Sequence, residues 1–239
     1  MRVTSSMLNL ITNSIMNEII VSRLQTKAKE FISQYKLVLN KVEIYPKEIE
    51  VYYHNEDFKD NAVHQKPQQT KKFKNHFYVH RHKYSDAYKS GNRAGVDFVV
   101  SDDENTYYSY LIRSAVINGQ PIYGPNNVLN EIKRACGYVE NAELEKKFVD
   151  TVSSNVEYDD IIYTTRFGLG KNVDACFCDY PLRLVVLDNN FKNAPYKAKE
   201  CIVLDYLKQS KSTKTKAECF CKKYLTYLPS KISDYYANK

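Results

Sequence analysis

Apolar residues recur at helical spacing near the start of the chain, at Leu10, Ile11, Ile15, Ile19, Ile20 and Leu24, with Asn9, Asn13, Asn17 and Glu18 between them. That period predicts an amphipathic helix over about residues 3–39. The period then shortens to two. In EIEVYY, residues 48–53, Ile49, Val51 and Tyr53 fall on one face of an extended segment, and Glu48, Glu50 and Tyr52 on the other. One or two strands are therefore expected over 42–53, around Pro46. Residues 54–76 read as a polar loop with Pro67, Gln68 and Gln69. FYVHRH (77–82) reads as a short strand, and a loop with Gly91 and Gly95 leads into DFVVSD (97–102) as another. YYSYLIRSAVING (107–119) is a long strand ending at Gly119.

Beyond it, Pro125 near the start and Gly137 at the end bracket a helix with Val128, Leu129 and Ile132 on one face. Residues 141–155 are expected to be helical, IIYTTRFGLG (161–170) to be a strand entering a glycine turn, and PLRLVVLD (181–188) the next strand. A further helix is expected near 212–227. Strands separated by short turns predict an α+β class: a curved, mostly antiparallel sheet with helices packed on it. No repeat or low-complexity linker interrupts the chain, so 1–239 is expected to be a single domain. Its parts are a helical region over 1–40, a sheet core over 41–190 and a lysine-rich region over 191–239.

Composition narrows the class. A hydrophobic fraction of 43% and a charged fraction of 26% suit a globular protein. No run of ~18 apolar residues could span a membrane. The polar interruptions near the start, with no small-residue cleavage site after them, argue against a cleaved leader. The six cysteines include two Cys-Phe-Cys triplets, Cys176–Cys178 and Cys219–Cys221. Without a secretion signal they are expected to be reduced thiols in a cytoplasmic protein. Structural zinc sites favour a wider spacing within each pair, although one intervening residue on a strand puts both sulfurs on one face. Buried cysteines are the expectation, with no metal and no cofactor.

The net charge is +7, unevenly placed. Between His64 and Arg93 lie Lys66, Lys71, Lys72, Lys74, Arg81, Lys83, Lys89 and Arg93 against a single acid, Asp86. Such a block attracts polyanions. Lysines alone read as a solvated surface. Phe73, Phe77, Tyr78, Tyr84 and Tyr88 interleaved among them add the stacking groups that nucleic-acid binding uses. DNA is the expected partner, with Lys71, Lys72, Lys74, Arg81, Lys89 and Arg93 as candidate contacts.

Single positions carry the chemistry. Glu50 beside aromatic residues is either a solvated strand glutamate or a cleft carboxylate suited to proton transfer. Arg113 sits in an apolar stripe with Leu111 and Ala115, so it needs an acid or a phosphate as partner or a wet end of the strand to reach; a structural salt bridge explains it at least as well as a catalytic role. RFGLG (166–170) is either a plain turn or a place where a ligand approaches backbone. His80 and His82 could bind metal, but no third ligand is evident; contact with a base is an equal reading. Asp97 reads as a second acid or as an ion-pair partner for Arg113 or Arg93.

Read in order, these fragments resemble the alkyladenine (3-methyladenine) DNA glycosylases. The matching segments are EIEVY (48–52), DNAVH (60–64), FYVHRH, AGVDFVVSD, LIRSAV (111–116), GPNNVL (124–129), RFGLG and PLRLVV, in conserved order over about 48–187. The resemblance implies a monofunctional enzyme that flips a damaged base from DNA and hydrolyses its N-glycosidic bond with an activated water. It implies Glu50 as the general base, with Arg113 and the carbonyl of Phe167 helping to hold the water. It implies Tyr52 and His64 against the flipped base. The sugar cation of such a reaction is stabilised by a nearby carboxylate.

The departures are specific. The family's second stacking tyrosine falls at His80, its discriminating asparagine near Ser101, and its wedge tyrosine near Ala94, leaving Tyr88 or Arg93 to fill that role. A different, bulky or hypermodified base is one consequence. The alternatives are a non-catalytic nucleic-acid-binding module of the same fold, a glycosidase acting on RNA or nucleosides, and a zinc-stabilised interaction protein.

Overall fold

Tyr35, Leu37 and Leu39 alternate with Lys36 and Val38, and this short period ends the first helix earlier than its apolar spacing suggests. In the computed structural model, which describes residues 5–82, 84–154, 156, 158 and 160–238, α1 spans Ser5–Gln34 and β1 spans Tyr35–Leu39. The expected extension of the helix to Leu39 is thus corrected: Leu37 and Leu39 are buried, and β1 is held between two antiparallel neighbours. Residues 3 and 4 of the expected helix, Lys83 of the basic block and Lys239 of the tail lie outside the described residues.

The sheet is built on β2 (Val42–His54), one continuous strand through Pro46. It pairs antiparallel with β5 (Tyr107–Ile117) from Ile44↔Ile117 to His54↔Tyr107, with register shifts on either side of Glu48. Pro46 has no N–H to give the ladder, and a bulge beside it re-aims the side chains that follow. β3 (Phe77–Val79) and β4 (Val96–Val99) extend the sheet beyond β5, and β6 (Gln120–Tyr123) folds back on β5. β7 (Asp150–Ser153) covers β1, while β8 (Ile161–Thr164) and β9 (Arg183–Val186) attach to β2 through β9.

The sheet curls into an antiparallel half-barrel with helices packed against it, an α+β fold in one compact domain. Two expectations fail here. FYVHRH is extended only to Val79, because His80 begins a separate hairpin. The helix over 141–155 stops after α3 (Asn141–Glu145), since Asp150–Ser153 is drawn into the sheet as the partner of β1.

Two apolar clusters fix the layers. In the larger, Leu24, Ala28, Phe31 and Ile32 of α1 pack with Ile49 and Val51 of β2 and Ile112 of β5. Val128, Leu129 and Ile132 of α2 (Pro125–Cys136) join them, and α2 ends at Gly137 in the left-handed region, φ 72°. In the smaller, Ile162, Val185 and Leu187 meet α5 (Asn189–Asn193), α6 (Tyr196–Gln209), α7 (Lys214–Tyr224) and α8 (Ser230–Ala237) through Phe191, Ile202, Val203, Leu207, Cys221 and Ile232. Leu184 and Val186 join the larger cluster and Val185 the smaller, as strand alternation requires.

The helix near 212–227 is α7. The Cys-Phe-Cys triplets lie on α4 (Ala175–Asp179) and α7, not on strands. Helical spacing of two turns each pair of sulfurs to different sides, so Cys219 is exposed and Cys221 buried.

Candidate active site

Glu50 is fully buried, 0% exposed, between β5 and β9, where it pairs with Leu111 and Arg183. Its face of β2 is therefore not a solvated one. Among the described residues, the side chain is hydrogen-bonded by donors alone. The Phe167 backbone N–H donates to Oε1 at 2.7 Å, the Arg113 guanidinium lies 3.2 Å from the same oxygen, and the Tyr52 hydroxyl donates to Oε2 at 3.1 Å.

Three chain regions thus meet, Glu50, Arg113 and Phe167. The turn after β8 brings the Phe167 amide to Glu50, a contact with the carboxylate that the sequence did not suggest. Gly168, at φ 75°, lets the chain reverse immediately afterwards.

Glu48 anchors the arrangement from behind. Arg113 Nε donates to its Oε1 at 3.0 Å, and Arg183 donates to the same oxygen through Nε at 2.8 Å. Burial disfavours the Arg113 charge, but Glu50 and Glu48 outweigh it and hold its pKa above the ordinary value. Arg166 and Asp60 form a second brace, 2.6 Å apart with both side chains at 0% exposure. Arg166 also donates to the carbonyls of Val51 and Phe177 and lies over the Tyr52 ring at 4.9 Å. One face of Tyr52 is thereby occupied. Burial raises the Tyr52 pKa well above the usual tyrosine value, so its hydroxyl remains a donor to Glu50.

Tyr52, Arg113 and Phe167 all line a half-open cleft of about 590 Å³. His64, His80, Lys89 and Asp97 form its polar wall, and Arg93, Asn126 and Asn127 contribute to its lining. His80 Nε2 lies 2.6 Å from Asp97 Oδ1, and Ser109 donates to the other Asp97 oxygen at 2.9 Å. Asp97 is therefore the partner of His80, and neither Arg113 nor Arg93 pairs with it: β4 places it directly beside Tyr78 and Leu111. His64 Nδ1 lies 2.9 Å from the Tyr78 hydroxyl, and its Nε2 lies 2.9 Å from Lys89 Nζ. Burial, then His80 and Lys89, lower its pKa to about 3, so the ring is neutral. The second ring nitrogen then accepts from Lys89 while the first donates to Tyr78.

Other candidates fall elsewhere. Ser101 is buried in a turn, its hydroxyl bonded to the carbonyls of Asp103 and Thr106, and it does not line the cleft. Arg81 is not a surface contact. It is buried, with both guanidinium ends on the Glu145 carboxylate and one on the Tyr88 hydroxyl. Lys74 is paired with Asp102, whereas Lys71, Lys72 and Arg93 are exposed. Ala94 is buried and Tyr88 is tied to Glu145, so of the proposed wedge residues Arg93 alone stays accessible.

Sequence reasoning named the turn at Arg166–Gly170 and the DNAVH segment but missed the Asp60–Arg166 pair. An arginine directly before a glycine turn, in a chain with a matching acid far upstream, was the available signal. Among the described residues no helix is long and apolar enough to cross a membrane.

No protein-family model matches the chain. It is similar to an uncharacterized protein of Acanthamoeba polyphaga mimivirus, with 28% identity over 178 residues that span 64% of this chain and 81% of that protein.

Proposed function

We propose that the protein is a DNA glycosylase that hydrolyses the N-glycosidic bond of a modified or damaged base with a water activated by Glu50. One observation carries the reading. An ionised carboxylate offers about four acceptor positions. Phe167 N–H, Arg113 and Tyr52 occupy three of those on Glu50, which leaves one, on Oε2, for a water molecule. The three residues that hold the carboxylate line the cleft, and Glu50 lies fully buried directly behind them.

In the proposed reaction, departure of the base leaves positive charge on the sugar. Glu50 takes the proton of the attacking water and stabilises that charge. The free face of Tyr52 and the His64 ring flank the base. Lys71, Lys72 and Arg93 hold the strand by its phosphates. No cofactor enters the scheme. A reducing, DNA-containing compartment such as the cytoplasm suits six cysteines that form no disulfide.

The test is a mass-spectrometric screen of bases released from damaged and modified DNAs by the wild type and by Glu50→Gln. The expected outcome is release by the wild type alone, with salt-sensitive DNA binding retained by both. Release by the variant would remove Glu50 from the role of base. Binding without release from any DNA would leave a non-catalytic binding module.

The buried Ala94 and the tethered Tyr88 favour one second reading, a glycosidase on single strands, RNA or nucleosides, which need no wedge. Release rates on duplex, single-stranded and nucleoside substrates separate the two.

A further inference from the structure

Lys89 stands on a braced arm of the cleft. At the root of a hairpin its backbone N–H donates to the His80 carbonyl at 2.8 Å. Arg81 and Tyr88 bridge one step further out, and His82 N–H donates to the Ala87 carbonyl at 3.0 Å. The buried Glu145 binds Arg81 and Tyr88 together and donates no freedom to the stem: its Oε1 also accepts the Val79 N–H at 2.7 Å. The arginine expected to touch DNA thus fixes the strand that carries Lys89. From there the lysine side chain enters the cleft, and its Nζ stops 2.9 Å from His64 Nε2.

An ammonium taken out of water requires a counter-charge. Lys89 is half-buried, and the acid that acts on it, Asp97, is already engaged. His64 is neutral, Asp97 is engaged by His80 and Ser109, and Arg93 adds a like charge. Among the described residues no carboxylate forms an ion pair with Lys89. Burial has the largest effect and lowers the Lys89 pKa; Asp97 opposes it, and Arg93 adds a smaller lowering. A desolvated lysine beside a second cation is how proteins hold an amine unprotonated and nucleophilic.

We infer that Lys89 is a Schiff-base nucleophile towards the aldehyde left by base excision, which gives the cleft an abasic-site lyase activity. The inference rests on the glycosylase reading for the origin of its substrate. Hydrolysis leaves a deoxyribose whose open-chain form carries an aldehyde at C1′. The Lys89 amine, after giving up its proton to water, attacks that carbon, a C–N bond forms, and the carbonyl oxygen leaves as water to give a protonated imine. Loss to water of a C2′ proton, acidified by the imine, gives an enamine whose electrons return to form a C2′–C3′ double bond and break the C3′–O bond, releasing the 3′ strand with its 5′-phosphate. Water then hydrolyses the imine, which restores the amine and leaves an unsaturated aldehyde on the other strand end. Nothing is oxidised or reduced.

The experiment uses the full chain and a DNA bearing a preformed abasic site, so base release is bypassed. Sodium borohydride reduces any imine to a stable covalent adduct, and peptide mass spectrometry locates it. The expected result is a wild-type adduct on the peptide containing Lys89, lost in Lys89→Ala and in Lys89→Arg, with unchanged circular dichroism in both. No wild-type adduct, or an adduct mapped to other lysines, overturns the proposal even if a variant fails to fold. Base release without trapping refutes the lyase alone. Trapping at Lys89 without release from any DNA refutes the glycosylase reading and keeps the reactive amine.

Discussion

Protonation of His64 should cost this fold stability in a defined pH window. The ring is enclosed by Tyr78, His80 and Lys89, and its pKa falls from 6.5 to about 3. Between those values the unfolded chain carries a proton on His64 and the folded one does not. Stability therefore rises with pH across the window. The contribution is complete above about pH 6.5 and is lost progressively as pH falls towards about 3. At ~1.36 kcal/mol per pKa unit, a pH of about 5 removes up to ~2 kcal/mol, and partial exposure of the ring reduces this to about 1–2 kcal/mol.

The assay is urea unfolding of the wild type and of His64→Gln at about pH 7.5 and about pH 5. The remaining ionisable side chains are the same in both proteins, so the difference isolates His64. The wild type should lose about 1–2 kcal/mol more than the variant on acidification. Equal losses, or an imidazole NMR titration centred near the free-histidine value, would refute the account of a buried neutral ring.

Other outcomes follow from the braces. Arg166→Met should destabilise the protein by about 3–5 kcal/mol, because it strands the buried Asp60 carboxylate; the double replacement Arg166→Met with Asp60→Leu should recover much of that loss in denaturant unfolding. Arg81→Ala should lower the melting temperature without changing the salt dependence of DNA binding, while Lys71→Ala combined with Lys72→Ala should reduce that salt slope and shift stability by less than about 0.5 kcal/mol. Gly95→Ala would place a Cβ 3.0 Å from Leu111 Cδ1 and 3.4 Å from the His80 ring. It should displace His80 from Asp97, visible as changed ring chemical shifts of His80 in NMR.

The residues that the chain order already marked divide by the range of their interactions. The strand face at 48–53 and the long strand at 107–117 were legible because alternation is local. So was α2, through Pro125, its apolar face and Gly137. The meeting of Glu50, Arg113 and Phe167 was reached through the resemblance, not through periodicity. The donor from Phe167 could not be assigned, since carbonyl and N–H of one residue differ only by the direction in which a turn presents them.

Arg81 shows the opposite failure. In sequence it sits in a basic block and looks like a phosphate contact, but Glu145, far along the chain, claims it. Residues 35–39 and 150–153 look helical by continuation, yet each is the other's strand partner.

What the sequence by itself determined was the periodic framework, its class and the location of charge, because backbone preference and side-chain alternation act over a few residues. What only the tertiary structure decided was which charges are spent on each other. Glu48 with Arg183, Asp60 with Arg166, Glu145 with Arg81 and Asp97 with His80 all join positions that only the folded sheet brings within hydrogen-bonding reach. Burial is what makes those pairings obligatory, since a charge withdrawn from water must find a partner wherever the fold puts one.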